Sequence, residues 1–205
     1  MRLVAENLTL ERGGRRLVAG LSFALGAGEA LIVTGPNGAG KSSLLRGLAG
    51  LIGFSAGRAG LDGGAAELTT AEQTHYLGHA DSLKGALTAR ENLSFWAALL
   101  GGAGLSETEA LRRLGLPHVA DFPVRALSAG QKRRVALARL VNERRPLWIL
   151  DEPYVALDPA AIALVAGLIA AHLEREGLVV LTTHQPVKVA GAKLRELSLT
   201  PASAA

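Results

Sequence analysis

Apolar and polar residues alternate from Leu3 to Leu10 and again from Val18 to Leu25, with Gly13-Gly14 between them. Period-two alternation around a glycine pair predicts an antiparallel hairpin. Gly26-Ala27-Gly28-Glu29 turns the chain into a different kind of strand. Ala30-Leu31-Ile32-Val33-Thr34 is a short apolar run, the pattern of a strand buried on both faces. Ser43 to Leu48 opens a helical pattern. Six glycines between Gly50 and Gly64 predict a loop-rich connection with one short strand. His75 to Gly78 reads as a strand, and His79-Ala80-Asp81-Ser82 as a turn. Ala89 to Leu100 and Glu107 to Leu114 read as helices separated by Gly101-Gly102-Ala103-Gly104. They form a helical insertion, about residues 85–130, that interrupts the strand–helix alternation without making an independent domain. Gly130 to Asn142 is a helix that Pro146 stops. Leu147 to Leu150 is an apolar run of strand length, Ala160 to Glu176 a helix, Leu178 to Thr182 another apolar strand, and Leu194 to Thr200 a last one. The expected fold is α/β: one domain over residues 1–205 with a mostly parallel central sheet, an N-terminal antiparallel β subdomain and a helical insertion.

Composition narrows this little. Hydrophobic residues make up 49% of 205 residues, enough for a real core. Cysteine is absent, which excludes disulfides and thiolate metal sites and fits a reducing compartment. The longest apolar helical segment, Ile162 to Leu173, has 12 residues, well short of the roughly 20 of a membrane span. The N-terminus has no apolar signal region. The net charge of +4 is spread over scattered or paired arginines (Arg15-Arg16, Arg112-Arg113, Arg133-Arg134, Arg144-Arg145), and aromatics are only 4%. Such pairs read as solvated helix faces, and the scarcity of stacking platforms argues against nucleic acid.

The chemistry starts at Gly35. Gly35-Pro36-Asn37-Gly38-Ala39-Gly40-Lys41-Ser42-Ser43 fits G-x-x-x-x-G-K-[ST], a match that 25 glycines in this length would produce by accident about 0.01 times. Glycines let successive backbone N–H groups turn inward around a phosphate chain. Lys41 would reach the β- and γ-phosphates, and the Ser42 hydroxyl would join the shell of a Mg²⁺ ion. The helix that follows adds about half a positive charge at its N-terminus. Downstream, Leu147 to Leu150 ends in Asp151-Glu152-Pro153. Two carboxylates at the C-terminal end of a buried strand lie where open α/β sheets bind ligands. Asp151 suits Mg²⁺, directly or through water, and Glu152 suits the polarisation of the water that attacks the γ-phosphate. Leu127-Ser128-Ala129-Gly130-Gln131 precedes a helix, with Ser128 at the N-cap position and Gly130 leaving room for a phosphate at the backbone.

Taken together these segments resemble the ATP-binding cassette family over nearly the whole chain. The phosphate loop, LSAGQ as the signature (with Ala129 where glycine is usual), WILDEP as the Walker B strand, Ala156-Leu157-Asp158 as the D-loop and Thr182-Thr183-His184 ending in the switch histidine stand in the family's order. The resemblance implies a P-loop NTPase fold, ATP and Mg²⁺ as cofactors, and head-to-tail homodimers. In these, Leu127 to Gln131 of one chain close on the nucleotide of the other. It gives Asp158 to the D-loop and makes His184 a γ-phosphate sensor.

Two positions depart from the pattern. The aromatic residue that the family commonly sets against adenine is Arg12 here, whose guanidinium can stack on a base. The Q-loop glutamine is replaced by His79, a contact to Mg²⁺ and the attacking water, whose protonation at low pH would weaken coupling. With Gly78-His79, Lys84, Leu87-Thr88, Glu91-Asn92-Leu93, LSAGQKRRVALARL and TTHQP, the chain looks like the ATP-binding export subunits of cytochrome c biogenesis. That resemblance implies a peripheral protein on the cytoplasmic face of a bacterial inner membrane, bound to integral permease subunits. ATP hydrolysis there supports haem export or delivery to, or release from, a periplasmic haem chaperone, and the partners handle the haem. His75, His118 and His172 need no ligand role in this reading. A cassette for another small substrate remains the alternative, with a soluble non-transport cassette ATPase behind it.

Overall fold

The structure is a computed structural model that describes residues 1–102, 104–185, 189 and 191–200. The hairpin forms as patterned, from β1 (Arg2–Arg12) and β2 (Arg15–Gly26), with Leu3 opposite Leu25 and Arg12 opposite Arg15. β3 (Glu29–Thr34) leads into the phosphate loop and α1 (Lys41–Leu48). The glycine-rich connection then yields β4 (Ala56–Asp62), which pairs antiparallel with β1. The antiparallel strands make their own three-stranded sheet, ordered β2-β1-β4, which is the expected N-terminal antiparallel subdomain.

The central sheet has five strands. After β5 (Thr74–Leu77) come α2 (Ala89–Leu100), α3 (Glu107–Arg113), α4 (Ala129–Asn142), β6 (Leu147–Asp151), α5 (Pro159–Leu173), β7 (Leu178–Thr182) and β8 (Lys193–Ser198). Their order is β5-β6-β7-β3-β8, and every pairing is parallel. Alternate side chains leave opposite faces of a strand, and the sheet uses both. Trp148, Leu150, Val179 and Leu181 join a core with α4, α5 and the insertion residues Leu93, Leu111 and Leu114. Leu147, Ile149, Leu178 and Val180 pack on the other side against Leu44, Leu45 and Leu48 of α1 and Leu3, Leu8 and Leu25 of the antiparallel sheet. This two-sided burial explains why the central strands read as continuous apolar runs.

Four helix starts are capped by their own side chains, that of α3 by Ser106, which accepts from Glu109 N at 3.4 Å. Thr88 and Ser128 each close a capping box, with Glu91 and Gln131 respectively, and the Asp158 carboxylate accepts from Ala161 N at 2.7 Å. A good N-cap contributes about 1 kcal/mol.

Two imidazoles are built into this frame. His75 is buried, with Nε2 3.3 Å from the Glu143 carbonyl. His172 stacks on Trp148 at 3.8 Å and 8° and donates Nε2–H to the Pro146 carbonyl at 3.1 Å. Burial pushes His75 down to about 3 and His172 down to about 4. Below pH 6.5 the unfolded chain takes up protons at both rings that the fold refuses, so stability falls as pH falls toward 4. Glu143 works the other way: burial pushes its carboxyl up to about 7, so the fold keeps a proton that the unfolded chain has released, and stability is lost as pH rises from 4.5 to 7. His172→Gln should therefore reduce the stability lost between pH 6.5 and 5 by about 1–2 kcal/mol. Urea midpoints at the two pH values, for the variant and the parent, measure it.

Candidate functional site

The phosphate loop is held by its own lysine. Lys41 Nζ donates to the carbonyls of Gly35 at 2.8 Å and Pro36 at 3.1 Å, so the ammonium lies across the loop. Gly35 has φ 135, and a Cβ there would collide with the Leu199 carbonyl of the chain beyond β8. Gly40 takes the N-cap of α1 in the left-handed region, φ 94. A cleft of about 360 Å³ opens over this loop. It is lined by Asn37, Gly38, Gly40, Lys41, Ser42 and Ser43, by Asp151 and Glu152 from the end of β6, and by His184 from beyond β7.

The carboxylates reach the cleft through a small polar framework. Thr182, fully buried, donates its hydroxyl to Asp151 Oδ1 at 2.8 Å and accepts from Glu152 N at 2.9 Å. Glu152 has φ 50, a left-handed conformation that a non-glycine residue rarely adopts. Its Oε1 lies 3.4 Å from His184 Nε2 and is buried with no hydrogen bond among the described residues. Asp151 Oδ2 is likewise buried and unpartnered. A carboxylate oxygen left without a partner, in a cleft that Ser42 also lines, suits a hard, oxygen-liganded cation. Mg²⁺ characteristically takes one or two protein oxygens and completes its shell with water and substrate phosphates. Tyr154 anchors the following turn: it is buried, and burial pushes its hydroxyl up to about 12.

The remaining residues singled out in the sequence lie elsewhere. Arg12 is exposed at the end of β1 and does not line the cleft; Leu17 of β2 does, packed against Gly40. His79 is exposed in the turn after β5, also outside the lining. Leu127 is buried, whereas Ser128 and Ala129 stand exposed at the head of α4, turned away from the chain's own cleft lining. Gly130 is constrained by packing, since a Cβ there would lie 2.7 Å from the Ala156 carbonyl. Asp158 is exposed at the start of α5. Pro186, the end of TTHQP, lies outside the described residues.

One arginine pair is not a solvated face. Arg133 is buried, with its side chain 4% exposed, and its guanidinium faces the carbonyls of Asp151 and Glu152. Lys132-Arg133-Arg134 carries no signal that the middle residue points inward. Thr182 was legible only as part of the TTH string, and Leu17 only as an apolar residue of the hairpin.

A phosphate loop, two strand-end carboxylates and a histidine thus converge on one cleft, and the profile of the ABC transporter family matches residues 18–155. The chain belongs to the ABC transporter family. The cassette is 51% identical over 203 residues to the cytochrome c biogenesis ATP-binding export protein CcmA of Rhizobium meliloti, covering 97% of this chain and 98% of that one. It is 50% identical over 195 residues to the CcmA protein of Nitrobacter winogradskyi, covering 95% and 98% respectively. Among solved structures, an ATP-binding cassette determined as a dimer in a post-hydrolysis state with ADP and Pi superposes with a TM-score of 0.81 at 24% identity, covering 96% of this chain and 94% of that one. An ABC transporter ATP-binding protein from Pyrococcus furiosus gives 0.81 at 20% identity, over 97% and 98%. At these identities the structures speak for the fold. The cassette is an ATP-hydrolysing transporter subunit, and no helix among its described residues is long and apolar enough to cross a membrane.

Proposed function

We propose that the cassette is the ATP-binding and hydrolysing subunit of a membrane ABC complex in cytochrome c biogenesis. It would couple hydrolysis to haem export or delivery to, or release from, a periplasmic haem chaperone. The observation that carries this reading is the identity of about half, end to end, to proteins named for that role. The cassette is one domain over residues 1–205, working as a peripheral subunit on the cytoplasmic face of a bacterial inner membrane. Permease subunits bind near the segment from His79 to Asn92. Phe95 and Leu99 of α2 and Phe122 are exposed apolar residues in that region, and Lys84 lies 4.2 Å over the Phe95 ring. Haem stays with the partners, and nucleic acid has no part.

In hydrolysis Lys41 and the backbone of Gly35 to Ser43 hold the triphosphate, and Arg12 stacks at the base. Ser42 and Asp151 Oδ2 would hold Mg²⁺, which when bound offsets the phosphate charge. Glu152 takes a proton as water oxygen bonds to the γ-phosphorus and the bond to the bridging oxygen breaks, giving ADP and phosphate. His184, beside Glu152, hydrogen-bonds the γ-phosphate, and His79 contacts the water from the permease side. Leu127 to Gln131 and the D-loop Asp158 complete the site of a second copy. The exposed head of α4 supports this role in trans. Ser128→Arg should leave ATP binding by one chain within about threefold while abolishing ATP-dependent dimerisation, because it fills the space the partner's phosphate needs. Light scattering with and without ATP reads it.

The test of the whole reading uses a tagged Glu152→Gln chain in its native host, solubilised from membranes with Mg-ATP and analysed by mass spectrometry. Multi-spanning subunits together with a haem-handling protein are expected. A different permease would move the substrate, and soluble nucleic-acid or ribosomal partners alone would overturn the transport reading.

A further inference from the structure

Arg133 sits five residues past Ser128 on α4, and all five of its guanidinium N–H groups have work. Nη2 donates to the carbonyls of Asp151 at 2.8 Å and Glu152 at 2.7 Å, and Nε to that of Pro153 at 3.4 Å. Nη1 donates to the Gly78 carbonyl and to Asp81 Oδ1, each at 2.9 Å. Three consecutive carbonyls can face one planar fork only if the chain bends sharply at the carboxylates, and it does so at Glu152 with φ 50. A non-glycine residue persists in that conformation only where its surroundings over-determine it. Here Arg133 holds the Glu152 carbonyl from one side, and Thr182 holds its N–H from the other. The far edge of the same fork grips Gly78 and Asp81, which flank His79 at the start of the segment leading into the helical insertion.

We propose that Arg133 is a positioning residue for hydrolysis: it fixes the Glu152 peptide, and it mechanically joins that peptide to the Gly78–Asp81 turn. A displacement of the turn is thereby felt at the carboxylate. This rests on the reading of Glu152 as the general base. Lysine can substitute only in part, because an ammonium has three donors around one point where the guanidinium offers a planar fork of five.

The test compares wild type, Arg133→Gln, Arg133→Lys, Asp81→Asn and Glu152→Gln. It measures Mg-ATP affinity, single-turnover hydrolysis and the lifetime of the ATP-induced dimer. Misplacing a reacting group by about 1 Å can cost about 10²-fold in rate. Arg133→Gln should lose about that much turnover, with affinity held within about threefold and a dimer that persists in Mg-ATP as that of Glu152→Gln should. Arg133→Lys should fall between it and the parent. Asp81→Asn touches only the half-buried end of the link and should lower turnover by about threefold to tenfold at unchanged affinity. That arm decides the matter if the buried variants fail to fold. Near-normal turnover in Arg133→Gln or Asp81→Asn, beside an impaired Glu152→Gln, overturns the inference and leaves the base assignment standing. Parallel loss of affinity, turnover and thermal stability with no persistent dimer also overturns it. Normal turnover in Glu152→Gln overturns the base assignment itself.

Discussion

Lys41→Ala is expected to weaken Mg-ATP binding by about 10²–10⁴-fold. The ammonium makes two short bonds to the Gly35 and Pro36 carbonyls, which place it in a cleft whose lining also holds two carboxylates. Its removal leaves Asp151 and Glu152 facing a polyphosphate with one positive charge fewer to offset them. A hydrogen bond to a charged group contributes about 1.5–3 kcal/mol, and two such bonds to β- and γ-oxygens account for the expected loss at 1.4 kcal/mol per tenfold. Titration calorimetry with ATP and Mg²⁺ measures it. Affinity within about threefold of the parent would mean that this loop does not cradle the phosphates.

Glu152→Gln is expected to bind Mg-ATP normally and to turn it over about 10²–10⁴-fold more slowly, the usual contribution of a positioned general base. The amide is isosteric, and the two bonds that hold the residue, from its N–H to Thr182 and from Arg133 to its carbonyl, belong to the backbone. Geometry should thus survive while the basic oxygen is lost. Oε1 lies within 3.4 Å of His184 and has no hydrogen bond that would occupy it, whereas one oxygen of Asp151 is already committed to Thr182. Single-turnover hydrolysis at saturating ATP separates the two steps. An unchanged rate would place the base elsewhere.

Most of the frame could be read from the chain because its two-sided sheet leaves a plain mark: four or five apolar residues in a row, bounded by glycine or proline. The motif order carried the site for the same reason, since each motif sits at a strand end or a helix start. Other features depend on partners distant in sequence. β4, Ala56-Gly57-Arg58-Ala59-Gly60-Leu61-Asp62, has neither alternation nor bulk, and is a strand because β1 offers it a ladder and Glu6 an ion pair with Arg58. α5 stops at Leu173, short of the expected end at Glu176, because Glu176 turns left-handed and Gly177 N bonds back to the His172 carbonyl at 3.0 Å. Arg133 reads as one more surface cation until the carbonyls of the Asp151-Glu152-Pro153 turn are placed against it. Leu17 reads as core for want of any sign that a cleft opens beside it.

The approach of Gly130 to the Ala156 carbonyl has a consequence for how two copies would act on one another. With no side chain between them, the head of α4 and the D-loop turn are seated backbone against backbone. Arg133, one turn further along α4, is bonded to the same turn at its Asp151 end. The part of the cassette offered to a neighbour and the part that sets its own carboxylates therefore travel as one lever. In the head-to-tail pair we propose, a pull on α4 from a second chain's nucleotide would arrive at Glu152 without any intervening joint to absorb it.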